Sequence, residues 1–355
     1  MPLTVGVEEE FLLLDPSSWH SVPKVREVRA ALPRDVWPAS RHEFRLSCLE
    51  MVTPVCTDLT DLRSALVANR TAAAAAAARA GVRLVAVGAT PVAEPDRSAA
   101  HSPRYRAIAR HYGPIARDPA VCAAHVHVGV DDRDRAVRIC TALRPWLPVL
   151  QAMTANSPFA DGADTGHDSW RGVVVERWPT LGPPPPLTSW ADYERTVAEL
   201  VATGALYEPE LVWWHARPSL DYPTVEVRIA DVSPTADDAV LLAALVRGLV
   251  ASVGAIVDVP EQLLRAAHWN ACHTGLSGNL MDLRHRVVRP AWDLVEDLVA
   301  TVTPALIEHG DLALVREGLV RLYHEGNGAT RLRRAPSLAD ALRTRAAQTA
   351  AGERS

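Results

Sequence analysis

Three consecutive carboxylates, Glu8, Glu9 and Glu10, sit inside the run Thr4 to Leu14, which otherwise has the pattern of a buried strand. Side chains alternate faces along a strand, so Glu9 shares a side with Val5, Val7, Phe11 and Leu13, while Glu8 and Glu10 point together the other way. Residues two apart lie roughly 6.6 Å apart along the backbone, close enough for carboxylates to converge on one cation or a pair of cations. A solvated edge strand would explain an isolated acidic triplet, but other acids lie in apolar strands further along. These are Glu43 in His-Glu-Phe-Arg, Glu50 in Cys-Leu-Glu-Met-Val-Thr, and Glu226 in Thr-Val-Glu-Val-Arg. Oxygen ligands in this number favour magnesium or manganese over zinc, and a pair of ions would suit substrate phosphates. The competing explanation is a set of buried ion pairs, for which Arg45 and Arg228 are available.

His125 and His127 alternate on a strand, so both rings face one way. Such a pair is most often structural, and it is also the start of a metal-hydrolase pattern, though without the eight strand-helix repeats such enzymes display. Arg228 shares a face with Glu226 and has the fork geometry to bind phosphate or carboxylate. The stretch Trp213-Trp214-His215-Ala216-Arg217-Pro218 reads as a pocket wall, in which Trp214 and Arg217 would contact substrate.

Composition narrows the chemistry. The chain has 355 residues, 48% of them hydrophobic, enough for a large packed core, and a formal charge of −5. That balance gives no footprint for nucleic acid or an anionic membrane and leaves small-molecule chemistry as the expectation. The N-terminus lacks a basic leader followed by an apolar core, and no stretch has the length and freedom from charge of a membrane span, so the cytoplasm is the expected compartment. Five scattered cysteines never form a Cys-x-x-Cys pair, which argues against zinc or redox motifs. Lys24 is the sole lysine. Its Val-Pro-Lys-Val context fits neither a P-loop, nor a kinase strand, nor a pyridoxal Schiff base, so arginine and metal ions must handle any phosphate.

The elements that would position these residues are legible in outline. A strand pair is expected across His42 to Val55. Thr57 or Asp58 then caps a long helix through the alanine tract to a stop at Gly81. A strand at Leu84 to Val87 and a helix at Pro103 to His111 precede the histidine strand, Ala123 to Val130. Helix follows from Asp132 to Asn156, bent near Pro145 and Pro148. Ser157 to Ser189 reads as a long functional loop carrying Arg171, Arg177 and four consecutive prolines. A helix at Trp190 to Thr203 leads to strands at Leu211 to His215 and Thr224 to Val232. Helices are expected at Ala236 to Val257, Glu261 to Thr274, Val287 to Glu308 and Asp311 to His324. Residues 1–334 would form a single domain, and residues 335–355 a weakly ordered tail with a short helix near Leu338 to Gln348.

Six ordered blocks carry a resemblance: Gly-Val-Glu-Glu-Glu-Phe, Leu-Glu-Met-Val-Thr-Pro-Val-Cys, His-Val-His-Val-Gly, Ala-Asn-Ser-Pro-Phe with Gly-Ala-Asp-Thr-Gly, Trp-Trp-His-Ala-Arg-Pro and Tyr-Pro-Thr-Val-Glu-Val-Arg. Together, from Thr4 to about Arg334, the chain resembles the YbdK-type carboxylate-amine ligases, the second family of glutamate-cysteine ligases. The resemblance implies an α+β fold like the catalytic domains of glutamine synthetase and the guanidino kinases, with a curved, mainly antiparallel sheet backed by helices. It implies that ATP phosphorylates the side-chain carboxylate of glutamate and that an amine, usually that of cysteine, displaces phosphate to form a γ-glutamyl amide. It also maps Glu8, Glu10, Glu43, Glu50 and Glu226 onto metal-holding acids for Mg²⁺ or Mn²⁺, His125 onto a position near the nucleotide phosphates, and Arg228 onto a phosphate-binding arginine. On this reading Glu50, Glu226 and Arg228 are catalytic, with His127, Arg171 and Arg177 further candidates for holding the nucleotide or excluding water. Small-molecule substrates are the expected partners, and the helical surface after Ala236 suits a homodimer. The chain departs from the family pattern at His268 and His273, where arginines are expected, which leaves the acid and the amine open. A divalent-metal hydrolase using His125 and His127, and a noncatalytic nucleotide-binding relative, are the alternatives.

Overall fold

The computed structural model describes residues 3–99 and 102–351. Strand β1 (Val5–Leu14) has its first residues alternating between buried and half-buried, as a strand with one face toward a core must. Around it are β2 (Ser40–His42), β3 (Cys48–Val52), β4 (Arg83–Val85) and β5 (Ala123–Gly129). A two-residue pair, β6 (Phe159–Ala160) and β7 (Ala163–Asp164), stands apart, and β8 (Ala216–Pro218) and β9 (Thr224–Asp231) complete the main sheet. The sheet has seven strands in the order β2-β3-β1-β5-β9-β8, with β4 also paired to β1, and every described pairing is antiparallel. Strand β1 is therefore central, hydrogen-bonded to β3 on one side and β5 on the other, and is not the edge strand that an isolated acidic triplet suggests.

Two helices close one face of the sheet. Asp58 caps Leu59–Arg79 by accepting a hydrogen bond from the Thr60 amide, and Gly81, with φ +78°, follows the helix end. Ala236–Ala251 is apolar nearly all round because other helices, Ala291–His309 and Leu312–Glu325, cover its far side. Val5 and Val7 pack with Leu62, Leu66, Ala239 and Leu242 on this face. Glu9 faces the same way and is buried, and Arg70 of the first helix meets its two carboxylate oxygens while also donating to the Ser233 and Pro234 carbonyls. The middle glutamate is thus a structural ion pair, and its two neighbours project to the opposite face.

Several elements differ from the sequence reading. The segment from Ser157 to Ser189 is not one long loop: it contains the β6–β7 pair and a helix, Trp170–Val175, capped by Ser169. The expected strand at Leu211 to His215 falls instead at Ala216–Pro218, with a short 3₁₀ turn at Pro209–Leu211. An antiparallel hairpin, Asn279–Asp282 with Val287–Pro290, occupies the start of what reads as helix, because Pro290 blocks the helix until Ala291. The helix beginning at Ala236 stops at Ala251 rather than Val257. The tail has the expected short helix, but packed into the core instead of weakly ordered. Leu338–Ala351 forms a helix whose Leu342 is fully buried and whose Arg345 donates to the Ala86 and Gly328 carbonyls and to Asn156. It seats on the alanine tract, where Ala73, Ala76 and Ala77 share a core with Ala346, since side chains without bulk let two helices approach closely.

Candidate active site

The register of the central strands builds the site. Directly opposite residues on paired strands face the same way, and here Glu10 lies across from Glu50, Glu8 across from His125, and His127 across from Glu226, which in turn lies across from Arg217. Opposite His125, the pairing jumps from Ala230 to Val227, so β9 supplies Arg228 and Ile229 against one residue of β5. Such a bulge increases local twist and re-aims side chains. Glu43, two residues before the buried Arg45, brings a fifth acid to the group.

Two clusters result. Glu8, His127 and Glu226 each present a ligand atom within 4.8 Å of the others, and so do Glu10, Glu43 and Glu50. The first cluster is balanced in charge. His125 Nδ1 is 3.0 Å from Glu8, His127 Nε2 is 3.4 Å from Glu8, and Glu226 accepts from Arg217 at 2.8 Å and from Arg228. Burial alone would raise the carboxyls of Glu8 and Glu226, but the two histidines hold Glu8 below the usual carboxylate range, and Arg228 and Arg217 hold Glu226 well below it. Burial and Arg228 push His125 down to about 4, whereas for His127 the attraction of Glu8 and Glu226 outweighs burial and raises it. The second cluster is unbalanced. Glu10 accepts from the Ala123 amide and Glu43 from the Phe44 amide, but among the described residues no arginine pairs with Glu10, Glu43 or Glu50. Arg45, which could have neutralised them, donates instead to backbone carbonyls including that of Ala116 at 2.7 Å. Burial and the neighbouring charge of Glu43 raise Glu10 to about 8, and burial with mutual repulsion raises Glu50 well above its ordinary value.

Three converging acids without a counter-ion are the donor set of a hard divalent cation. The first cluster adds a second observation: His127 Nε2 is buried without a hydrogen-bond partner, while its Nδ1 meets Thr224 Oγ1 at 2.9 Å. A ring held at one nitrogen, with the other turned toward two carboxylates without a good hydrogen bond, can share a metal ion with those acids. The residues fit two magnesium or manganese ions.

The pH dependence of stability follows. A carboxyl raised in the folded state stabilises fully below its unfolded value, 4.5, and that stabilisation is lost as pH climbs through the folded value of about 8. The metal-free protein is therefore expected to lose Tm between pH 5 and 8 through this cluster. Saturating Mg²⁺ or Mn²⁺, which replaces the protons, is expected to raise Tm more at pH 8 than at pH 5. A metal-induced shift equal at both values, measured by calorimetry, would contradict the assignment.

A cavity of about 290 Å³ reaches Glu10 and Glu43 of the second cluster and is lined also by His125, Arg171, Trp213 and Arg228 among others. Phe44, Tyr105, Trp178 and Trp213 give it an aromatic wall through edge-on contacts. Glu8, Glu10, Glu43, Glu50, Glu226, His125, His127 and Arg228 are thus brought together on one face. The other candidates are placed differently. Arg171 lines the cavity, anchored to the Ile229 and Arg228 carbonyls with its Nε unpartnered. Arg177 is exposed and bonds Asp118 at 2.6 Å, so it does not face the acids. Trp214 packs on Tyr193 in a separate core while Trp213 supplies the wall, and Arg217 braces Glu226 and the Glu210 and Val212 carbonyls instead of opening toward a substrate. The physical reason is alternation: next to β9 only one of two tandem tryptophans faces the cavity, and an arginine opposite a buried glutamate pairs with it. Sequence reasoning passed over Gln151, Tyr105 and Trp178, since helix and loop residues give no periodic signal toward a sheet face.

Comparison with known proteins identifies the family. The model of glutamate-cysteine ligase family 2 matches residues 4–352. A protein of Salinispora arenicola, named a candidate glutamate–cysteine ligase 2, is 56% identical over 339 residues, covering 94% of this chain and 90% of that protein. One of Mycolicibacterium vanbaalenii with the corresponding name is 44% identical over 339 residues, covering 94% and 93%. Among solved structures, the glutamate–cysteine ligase of Francisella tularensis in complex with AMP superposes with a TM-score of 0.66 at 12% identity, covering 99% of this chain and 89% of that one. A bifunctional glutathione synthetase of Pasteurella multocida gives 0.69 at 15% identity, covering 98% of this chain and 52% of that one. At such identities the likeness is one of fold, and it places the α+β architecture among these ligases. The sequence match is the stronger statement: this chain belongs to glutamate-cysteine ligase family 2.

Proposed function

We propose that this protein is an ATP-dependent ligase that joins the side-chain carboxylate of glutamate to an amine through an acyl phosphate. The observation that carries the reading is the pair of ligand clusters, Glu8, His127, Glu226 and Glu10, Glu43, Glu50, on one sheet face, beside a cavity that Glu10, Glu43, Arg228 and Arg171 line. Membership of the ligase family supports the reaction class.

A carboxylate is a poor electrophile at neutral pH, and phosphorylation converts its oxygen into a leaving group. Transfer of a phosphoryl group spreads negative charge over its oxygens, so the task of the site is positioning and charge stabilisation. Glu8, Glu226 and His127 would hold one divalent ion and Glu10, Glu43 and Glu50 another; when bound, these ions would supply the positive charge that shields the phosphates. Arg228, held by Glu226 and raised by it and by Glu8 despite burial, stays cationic at the cavity surface. Arg217 fixes the second oxygen of Glu226, so that carboxylate cannot swing away when its charge is called on. The aromatic wall of Tyr105, Trp178 and Trp213 keeps water from an activated intermediate that would otherwise hydrolyse.

The test is a panel of amino acids and amines offered with ATP, glutamate and Mg²⁺, read as ADP release and product mass. ADP formation that requires both glutamate and an amine is the expected result. ADP formation that ignores the amine, or phosphate release from simple esters, would refute the ligase reading.

A further inference from the structure

Beside the cavity, six side chains from Asp231 to His215 form a chain of hydrogen bonds that no step above uses. It begins at Asp231, which accepts from the Asn156 amide, the Ser157 hydroxyl and, at 2.9 Å, the Ser169 hydroxyl. Ser169 also meets the Cys272 sulfur. The Cys272 sulfur then accepts from the Gln151 amide nitrogen at 2.7 Å, which turns the Gln151 oxygen toward His268 Nδ1, also at 2.7 Å. A Gln oxygen can only accept, so His268 carries its proton on Nδ1 and leaves Nε2 bare. That bare nitrogen faces His215 Nδ1 at 3.3 Å, which must therefore be the protonated one. By this sequence of donors His215 is left with an unprotonated Nε2.

His215 lines the cavity together with Gln151 and Gly172, and its backbone carbonyl accepts from the Arg228 amide at 2.8 Å. Lateral neighbours on paired strands share a face, so the bare nitrogen stands beside the arginine proposed to hold phosphate. Gly172 belongs to the arrangement: a Cβ there would lie 2.2 Å from Cys272 Sγ and 2.7 Å from Gln151 Nε2. Glu176 Oε1 is 3.7 Å from His215 Nε2, while its Oε2 is held by Arg265 at 3.2 Å. Two acceptors facing each other at that distance have no hydrogen to share, and a protonated amine supplies one to each.

We propose that His215 is the proton acceptor for the amine substrate, its tautomer set by His268, Gln151 and Cys272, with Glu176 offsetting the charge it acquires. The inference rests on the ligase reading above. The incoming ammonium gives one proton to Nε2, which exposes the nitrogen lone pair. That pair forms the C–N bond at the γ-carbonyl carbon, the C–O bond to phosphate breaks with its electrons going to phosphate, and the second N–H proton leaves with the phosphate. His268, Arg265 and Arg171 face His215 with Glu176, and burial first, then these neighbours, hold its imidazole well below the ordinary range, so the ring is neutral at pH 7.

Hydroxylamine separates this role from others, because it is already neutral at pH 7 and needs no base to attack an acyl phosphate. Wild-type protein with ATP, glutamate, Mg²⁺ and hydroxylamine should yield the hydroxamate; no hydroxamate from the wild type would sink the ligase reading itself. In His215→Gln the reaction with an alkyl amine or amino acid is expected to fall about 100-fold, the lower end of what a general base contributes, with the hydroxylamine rate within about threefold of wild type. His268→Gln, which frees the tautomer without removing the base, should lower the amine reaction by about tenfold and leave hydroxamate formation intact. Equal losses with both nucleophiles in folded His215→Gln, or an undiminished amine rate, would overturn the assignment.

Discussion

Replacing Glu50 with glutamine is expected to lower turnover by more than about 100-fold while leaving the melting temperature unchanged. The two halves of this expectation come from one fact. Glu50 lies opposite Glu10 on the sheet and close enough to Glu43 to share a proton, so without a cation its carboxyl is raised well above the usual range by burial and by its acidic neighbours. A protonated carboxyl and a carboxamide are nearly the same size and polarity, so the metal-free fold barely registers the change. The ligand set for a divalent ion does register it, because an anionic oxygen is replaced by a neutral one, and loss of one charge-stabilising group costs about 3 kcal/mol in the transition state. Glu226→Gln should lose at least as much activity, but with a lower Tm, since its carboxylate is ionised between Arg217 and Arg228 and those guanidinium groups are left without a full partner. Steady-state ADP release and thermal melts of both variants check the pair. Near-normal rates in both would remove these acids from the chemistry.

The largest stability effect is expected on the other face of the sheet. Arg70→Met should destabilise the protein by about 3–5 kcal/mol, because it strands the Glu9 carboxylate in an apolar layer with no counter-charge. Arg70 is fully buried and Glu9 nearly so, and the arginine also satisfies the Ser233 and Pro234 carbonyls ahead of the helix Ala236–Ala251. The double variant Glu9→Leu with Arg70→Met should recover much of that loss, since a hydrophobic pair of similar volume can replace a buried ion pair at little cost. Urea midpoints measure both. Residual folded Arg70→Met should keep its kcat, which sets Glu9 apart from Glu8 and Glu10; a single variant as stable as wild type would contradict the buried-pair reading.

These two predictions concern opposite faces of one sheet, and the division of Glu9 from its neighbours Glu8 and Glu10 between those faces was already legible in the primary structure. Alternation along an extended run fixes which of three consecutive glutamates share a face, whatever the rest of the chain does. The same local rule placed His125 with His127 and Glu226 with Arg228, and helix signals such as the Asp58 cap and the Gly81 stop are equally local. The lack of lysine outside Lys24 likewise confined phosphate handling to arginine and cations before any fold was considered.

What alternation cannot decide is which faces meet. Whether Glu10 opposes Glu50 or another residue depends on strand register, and that is set by turns and by packing between segments far apart in the chain. Only the assembled sheet separates the acids into a charge-balanced cluster with His127 and an unbalanced one around Glu43, and only it turns Arg217 onto Glu226 and Trp214 into a core. The last helix, Leu338–Ala351, was legible as a short helix, but its firm seating was not, for a related reason. Its sequence is polar and weakly amphipathic, and what orders it is Arg345 finding carbonyls at Ala86 and Gly328 and small side chains finding an alanine tract more than 250 positions earlier in the chain. The sequence by itself determined the chemistry available on each strand face, because that is a property of neighbouring backbone dihedrals; the tertiary structure decided which charges share a site, because that depends on contacts no local segment contains.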